Sequence, residues 1–316
     1  MKKDFLDITD FSKEELLGFL DLATELKKEY FAGGNEPVLK GKNLAMIFQK
    51  PSLRTRVSFE VAMRHLGGDA LYLSPNEIGL GERESVADVA RVLSGMVEGI
   101  MARVFGHELV VGLAEWATVP VINGLSDASH PAQIMADFLT IREKFGNFDG
   151  LNLAYIGDGN NVSVSLMQMS AILGTNFIIA SPEGYDMEDR YVDECKAIAG
   201  KTGARLSFFR DPHEAVKEAN VIYTDTWVSM GQEEEAAKRQ AVFALPGQPK
   251  TGIRSPARRC RFALPARLPW HRNHRRSLRW APKFALPASP QPLACPKSYP
   301  LQIDEGLNPK QACDPV

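Results

Sequence analysis

The chain has 316 residues, enough for about two domains with sizeable cores. Its net charge of −2 hides an asymmetry: residues 243–316 hold 13 basic and 3 acidic side chains, against 24 and 36 in the remainder. Three of the four cysteines (Cys260, Cys295, Cys313) lie in that basic segment, so the body, with Cys195 alone, has no disulfide framework and no cysteine metal spacing. No stretch is apolar for long enough to act as a signal peptide or to span a membrane, and a cytoplasmic protein is expected.

Ser12-Lys13-Glu14-Glu15 has capping-box spacing and predicts a first helix reaching about residue 30. Strand-like and helix-like segments then alternate. Strands are expected over 43–48, 70–73, 99–104 and 119–123, with helices over 55–66, 84–96, 108–117 and 131–145 between and after them. Strands over 151–156, 176–180, 206–209 and 221–224 and helices over 162–173 and 187–199 continue the pattern. Such alternation predicts an α/β protein with two doubly wound parallel-sheet domains, split near residues 146–150. In open sheets of this kind ligands bind at the carboxyl ends of the strands.

Residues 243–316 read differently. They contain 13 of the 20 prolines, and no helical or strand period survives more than a few positions. Proline at that density blocks helices and central strands, so an irregular, disordered basic tail rich in Pro and Arg is expected. Its charge would suit phosphate-bearing polymers or anionic lipid, although we assign it neither a nucleic-acid nor a membrane partner.

Three segments carry chemistry. Ser52-Leu53-Arg54-Thr55-Arg56 sits between a predicted strand and a predicted helix. Helix-start N–H groups and guanidinium forks both suit phosphate oxygens, although a capped helix with solvated arginines reads equally well in isolation. His130-Pro131-Ala132-Gln133 opens a helix, where His130 could donate to an oxygen that gains charge or could be a plain helix cap. Asp225 ends a strand and leads into Thr226-Trp227-Val228-Ser229-Met230-Gly231; it suits an ammonium group, or a helix N-cap. Gly157-Asp158-Gly159-Asn160-Asn161 lacks the full dinucleotide fingerprint, so that reading is rejected.

Taken together and in this order, these segments resemble the transcarbamoylase family, and the third is similar to its ornithine branch. The resemblance runs from about residue 5 to residue 242. It implies that residues 1–148 form a carbamoyl-phosphate-binding domain and residues 149–242 part of an ornithine-binding domain. Ser52, Leu53 (through its backbone N–H), Arg54, Thr55, Arg56, Arg103, His130 and Gln133 would bind carbamoyl phosphate. Arg54, Arg103 and His130 would be the catalytic groups among them. Asn161, Asp225, Ser229 and Met230 would bind ornithine. The implied reaction forms citrulline and phosphate without metal or cofactor, by positioning and electrostatic stabilisation. The implied assembly is a homotrimer with shared active sites.

Two departures stand out. Relatives often carry a glutamine that reaches a neighbouring subunit's carbamoyl phosphate where this chain has Gly79. Beyond residue 242 the family supplies a His-Cys-Leu-Pro loop, a substrate-contacting arginine and a closing helix. None can be placed here, and Cys260, followed by Arg261-Phe262, does not match the loop.

For this second departure the expectation is a shifted reading frame, against the alternative of a genuine basic tail. Each shifted residue is spelled by the last two bases of one codon and the first of the next. Trp270-His271 then forces a glycine, and residues 263–271 permit His-Cys-Leu-Pro-Ala-Cys-Arg-Gly. Residues 292–302 permit Arg-Leu-His-Ala-Gln-Lys and its continuation, and Leu307-Asn308 permits a stop.

The second domain is therefore expected to be incomplete, with one sheet strand missing. Poor solubility and impaired turnover are expected of the chain as written. Two rivals remain at this stage: a carbamoyltransferase for another amine such as putrescine, and an inactive carbamoyl-phosphate-binding remnant with a polyanion-binding tail.

Overall fold

A computed structural model describes residues 3–225 and the strand Cys260–Ala263. The first half contains α1 (Lys13–Ala32), β1 (Asn43–Phe48), α2 (Leu53–His65), β2 (Asp69–Leu73), α3 (Pro75–Ile78) and α4 (Val86–Ser94). It continues with β3 (Gly99–Arg103), α5 (His107–Trp116), β4 (Val121–Leu125) and α6 (Pro131–Phe145). The second half runs β5 (Asn152–Ile156), α7 (Asn161–Leu173), β6 (Asn176–Ala180), α8 (Asp189–Thr202), β7 (Leu206–Phe209), α9 (Pro212–Ala215), β8 (Val221–Thr224) and β9 (Cys260–Ala263). The strands form two parallel sheets, ordered β2-β1-β3-β4 and β7-β6-β5-β8-β9. These are two α/β parallel-sheet domains, as the alternation predicts.

The buried strands explain the sheets. In β1, Leu44, Met46 and Phe48 pack with Phe59 and Met101, whereas Ala45 and Ile47 pack on the other face with Val89, Ile100 and Val110. Period-two side chains buried on both faces demand helices on both faces, which is the signature of a parallel sheet. The Ser12–Glu15 capping box is formed and starts α1, which turns Leu16, Leu20 and Ala23 inward.

One cluster joins the two halves. It runs from Ile8 and Leu16 through Phe138 of α6 to Leu153 and Tyr155 of β5 and Met167 of α7. Residues 162–173 of α7 are all buried, since this helix is enclosed rather than half solvated. Polar bonds add to the seam. Asp7 caps the short 3-10 helix Ile8–Asp10, accepts from Ser129 Oγ at 2.9 Å and accepts from Gln168 Nε2 at 3.2 Å. Just upstream, Phe5 pairs with the edge of β4 by donating to Val121 O at 2.8 Å and accepting from Asn123 N–H at 2.8 Å.

Structure and expectation differ in a few places. The helix expected over 55–66 starts at Leu53, and the strand expected over 119–123 lies at Val121–Leu125. The one-turn helices α3 and α9 were not anticipated, because each is started by a proline and is too short to show a hydrophobic period.

The largest correction is β9. The basic tail was expected to be irregular and the second sheet short of a strand, yet Cys260–Ala263 pairs in parallel with β8, from Val221↔Cys260 to Thr224↔Ala263. β8 pairs β5 on one side, so the N–H and C=O groups of its other side call for a partner, and this tetrapeptide is free of proline. The remainder of the tail lies outside the described residues.

Candidate active site

Each described segment that the motifs single out follows the carboxyl end of a strand. Ser52 ends the loop after β1 and is the N-cap of α2, but it gives no side-chain bond to the helix backbone. Its Oγ instead donates to Thr55 Oγ1 at 3.1 Å. The first N–H groups of α2 thus keep the anion-facing character of a helix start. Leu53 is the first residue of α2, with its side chain 79% exposed, so only its backbone N–H can serve the seat.

Arg103, at the end of β3, is 6% exposed and donates from Nη1 to Thr55 Oγ1 at 3.2 Å. Burial pushes its pKa down to about 10, and the like charge of nearby Arg54 adds to that shift. Two guanidiniums crowded at a helix start form a basin for a multiply charged anion. Arg56 is engaged elsewhere: it pairs with Glu60 at 2.7 Å and its guanidinium lies 4.0 Å from the Tyr72 ring centroid.

His130 is the N-cap of α6, with Pro131 at the first helical position. Its backbone N–H donates to Ser165 Oγ of α7 at 3.1 Å. The ring Nδ1 is buried without a hydrogen-bond partner among the described residues. Burial, then the charge of Arg103, pushes the imidazole pKa down to about 3. Near pH 7 this histidine is neutral and has one N–H to give.

Gln133 lies one turn further along α6. Its Nε2 donates to both oxygens of Asp137, at 3.1 and 3.2 Å. Asp137 is 7% exposed and also accepts from Tyr223 Oη of β8 at 2.9 Å. Burial raises its carboxyl to about 7, against the pull of the Gln133 and Tyr223 bonds and with a push from the charge of Asp225.

On the second sheet Asn161 opens α7, capped by Asn160 Oδ1, which accepts from Val162 N–H and Ser163 N–H at 3.0 Å. Asn161 Nδ2 donates to Ser126 O at 2.6 Å, bringing the post-β5 loop against the post-β4 loop. Asp225 follows β8 and is half-buried; its charge raises the phenol pKa values of Tyr155 and Tyr223, in each case after burial. Ser229 and Met230 lie outside the described residues. Sequence reasoning missed Asp137 and Tyr223. The four-residue spacing of Gln133 and Asp137 on one helix was the available signal for the first.

Gly79 ends α3 in the left-handed region (φ +55°), and a Cβ there would lie 2.8 Å from Arg83 Cβ. Gly79→Gln is expected to lower stability by about 1 kcal/mol in urea unfolding. An unchanged midpoint would mean the loop readjusts without cost.

Among the described residues no helix is long and apolar enough to cross a membrane, and no group of three or more His, Cys, Asp or Glu side chains could hold a metal ion.

Comparison with known proteins covers both halves. Residues 3–143 match the carbamoyl-P binding domain of the aspartate/ornithine carbamoyltransferase family, and residues 149–245 match its Asp/Orn binding domain. An ornithine carbamoyltransferase of Anoxybacillus flavithermus is 53% identical over 242 residues, covering 77% of each chain. The solved ornithine carbamoyltransferase of Pyrococcus furiosus superposes with a TM-score of 0.74 at 50% identity, covering 76% of this chain and 77% of that one. A mitochondrial ornithine carbamoyltransferase from Coccidioides immitis gives a TM-score of 0.76 at 32% identity, over 85% and 87% of the two chains.

Proposed function

This chain belongs to the aspartate/ornithine carbamoyltransferase family, and we propose that its site transfers the carbamoyl group of carbamoyl phosphate to the δ-amine of ornithine, forming citrulline and phosphate. The carrying observation is the convergence of distant motifs: Arg103 from β3 donates to Thr55 of the α2 start, and its charge reaches His130 before α6. Residues 1–148 would bind carbamoyl phosphate. Ser52, Thr55, the backbone at Leu53, Arg54 and Arg103 hold the phosphate, and Arg56 reaches it only after leaving Glu60.

The neutral amine attacks the carbamoyl carbon and a C–N bond forms. The C–O bond to phosphate breaks, phosphate leaves with that electron pair, and the proton released by the amine passes to the departing phosphate. His130, as a neutral donor, stabilises the carbamoyl oxygen as the carbon becomes tetrahedral. Arg54 and Arg103 hold the charge of the departing phosphate. Residues 149–242 would bind ornithine, with Asn161 and Asp225 on the α-ammonium and Ser229 and Met230 positioning the rest.

We read residues 243–316 as a shifted frame. The extent of the match supports this, since the Asp/Orn binding domain is followed only to residue 245. A frame-corrected chain would be a cytoplasmic homotrimer with Arg54, Arg103 and His130 as its catalytic groups.

The test is to express the chain as written and the frame-corrected chain, verify both by mass, and assay citrulline from carbamoyl phosphate and ornithine, with putrescine as the competing amine. Citrulline from the corrected chain alone is the expected result. Full turnover by the 316-residue chain would sink the frame reading, and preference for putrescine would sink the ornithine assignment. The charge of the tail favours a second reading, a binding remnant. Carbamoyl-phosphate binding without turnover by either chain, with salt-sensitive polyanion binding by the tail, would support it.

A further inference from the structure

Gln133 and Asp137 stand four residues apart on α6 and therefore share a face. When ionised, Asp137 has no proton to give, so the amide of Gln133 turns its NH2 toward it, as the 3.1 and 3.2 Å contacts record. The amide is planar, with oxygen and nitrogen on opposite sides of its carbon. Fixing the nitrogen therefore fixes Oε1 on the other side, as an acceptor only. The clamp is itself held: Asp137 is buried and takes a third bond from Tyr223 Oη, on β8 two residues before Asp225.

We propose that Asp137 is a positioning residue that locks Gln133 Oε1 as an acceptor for the carbamoyl NH2, so that the site selects an amide over a methyl ketone or acetyl group of the same shape. This rests on the reading of Gln133 as a carbamoyl-contacting residue. A ligand with CH3 in place of NH2 would leave that acceptor unpaired. Leaving a buried polar group unpaired costs about 1–3 kcal/mol, or roughly 10–100-fold in affinity. Without Asp137 the amide of Gln133 can rotate, and the discrimination goes.

The test uses two stable phosphonates, phosphonoacetamide and 2-oxopropylphosphonate, which differ by NH2 against CH3, and inorganic phosphate as a third probe. Calorimetric titrations of the full chain are run at about pH 8.5, where Asp137 is ionised. The parent chain is expected to prefer the amide by about 10–100-fold. In Asp137→Asn the preference should fall at least tenfold toward unity while phosphate is still bound. Gln133→Leu should also abolish the preference and serves if Asp137→Asn does not fold.

Retention of the parent preference in either variant overturns the proposal. Equal affinity of the parent chain for both phosphonates overturns it too, while leaving the phosphate seat standing. Failure of the parent chain to bind phosphate or either phosphonate overturns the underlying site reading, and this inference with it.

Discussion

Replacing Arg103 by Met is expected to weaken phosphonoacetamide binding by about 10–100-fold, the loss of a charge-assisted bond to phosphate. The unfolding midpoint of the unliganded protein should hold or rise. The two results have one cause. The guanidinium of Arg103 is buried beside Arg54, and both effects disfavour its charged form, bringing its pKa down to about 10. Holding that charge in a buried position costs the unliganded fold, which the bond to Thr55 Oγ1 offsets in part and a bound anion would offset further. Arg56→Met is the control, because Arg56 is exposed and already engaged with Glu60 and Tyr72. Its removal should change affinity by less than about fivefold, the range of an exposed ion pair. A drop in midpoint on losing Arg103, or a larger binding loss at Arg56, would reverse the assignment of the phosphate seat.

The second large effect concerns stability and pH. His130 titrates near 6.5 when unfolded and at about 3 when folded, so the unfolded chain takes up the proton first as pH falls. Its contribution is present above pH 6.5 and is lost as pH drops toward 3, with a slope of at most about 1.4 kcal/mol per pH unit. Part of the residue's surface meets solvent, which softens that slope. Asp137 works in the opposite sense. Its carboxyl rises from 3.8 to about 7 on folding, so its contribution is present below pH 3.8 and is lost as pH rises to 7. Asp7, also raised by burial, adds to the sense of Asp137.

Between pH 4 and 6.5 the slopes from His130 and Asp137 oppose each other and largely cancel, and Asp7 adds a fall in stability with rising pH. His130→Ala should expose a fall in stability with rising pH, and Asp137→Asn a rise. Urea unfolding followed by tryptophan fluorescence across that window decides the matter. Parallel flat profiles in both variants would show that neither group changes its proton affinity on folding.

Much of this architecture is legible in the amino-acid sequence. The strands over 43–48, 176–180, 206–209 and 221–224 and the helix over 131–145 fall where apolar runs and a leading proline place them. Their signals are local: β1 is continuously apolar because both its faces are covered, and Pro131 can only begin a helix. The site was legible as a set of motifs, since each follows a strand end and parallel sheets bring such ends together.

What stayed hidden depends on distance in sequence. Tyr223 reads as an ordinary strand residue until β8 is set across from α6 and its hydroxyl meets Asp137. The engagement of Arg56 with Glu60 and Tyr72 comes from the neighbouring strand β2 as well as its own helix. β9 was missed because proline around it masks a four-residue stretch that only the edge of β8 makes into a strand.

The bonds of Asp7 to Ser129 and to Gln168, the second separated by 161 residues, also bear on how the chain is made. Synthesis proceeds at about 5–20 residues per second, so Asp7 leaves the ribosome roughly 8 to 30 s before Gln168 does. During that interval the amino terminus has no α7 on which to dock. The distant partners of Asp7 among the described residues, Ser129 and Gln168, nonetheless precede residue 243, where the basic segment begins. The clasp that joins the two halves can therefore close on a growing chain before most of the basic segment has been translated.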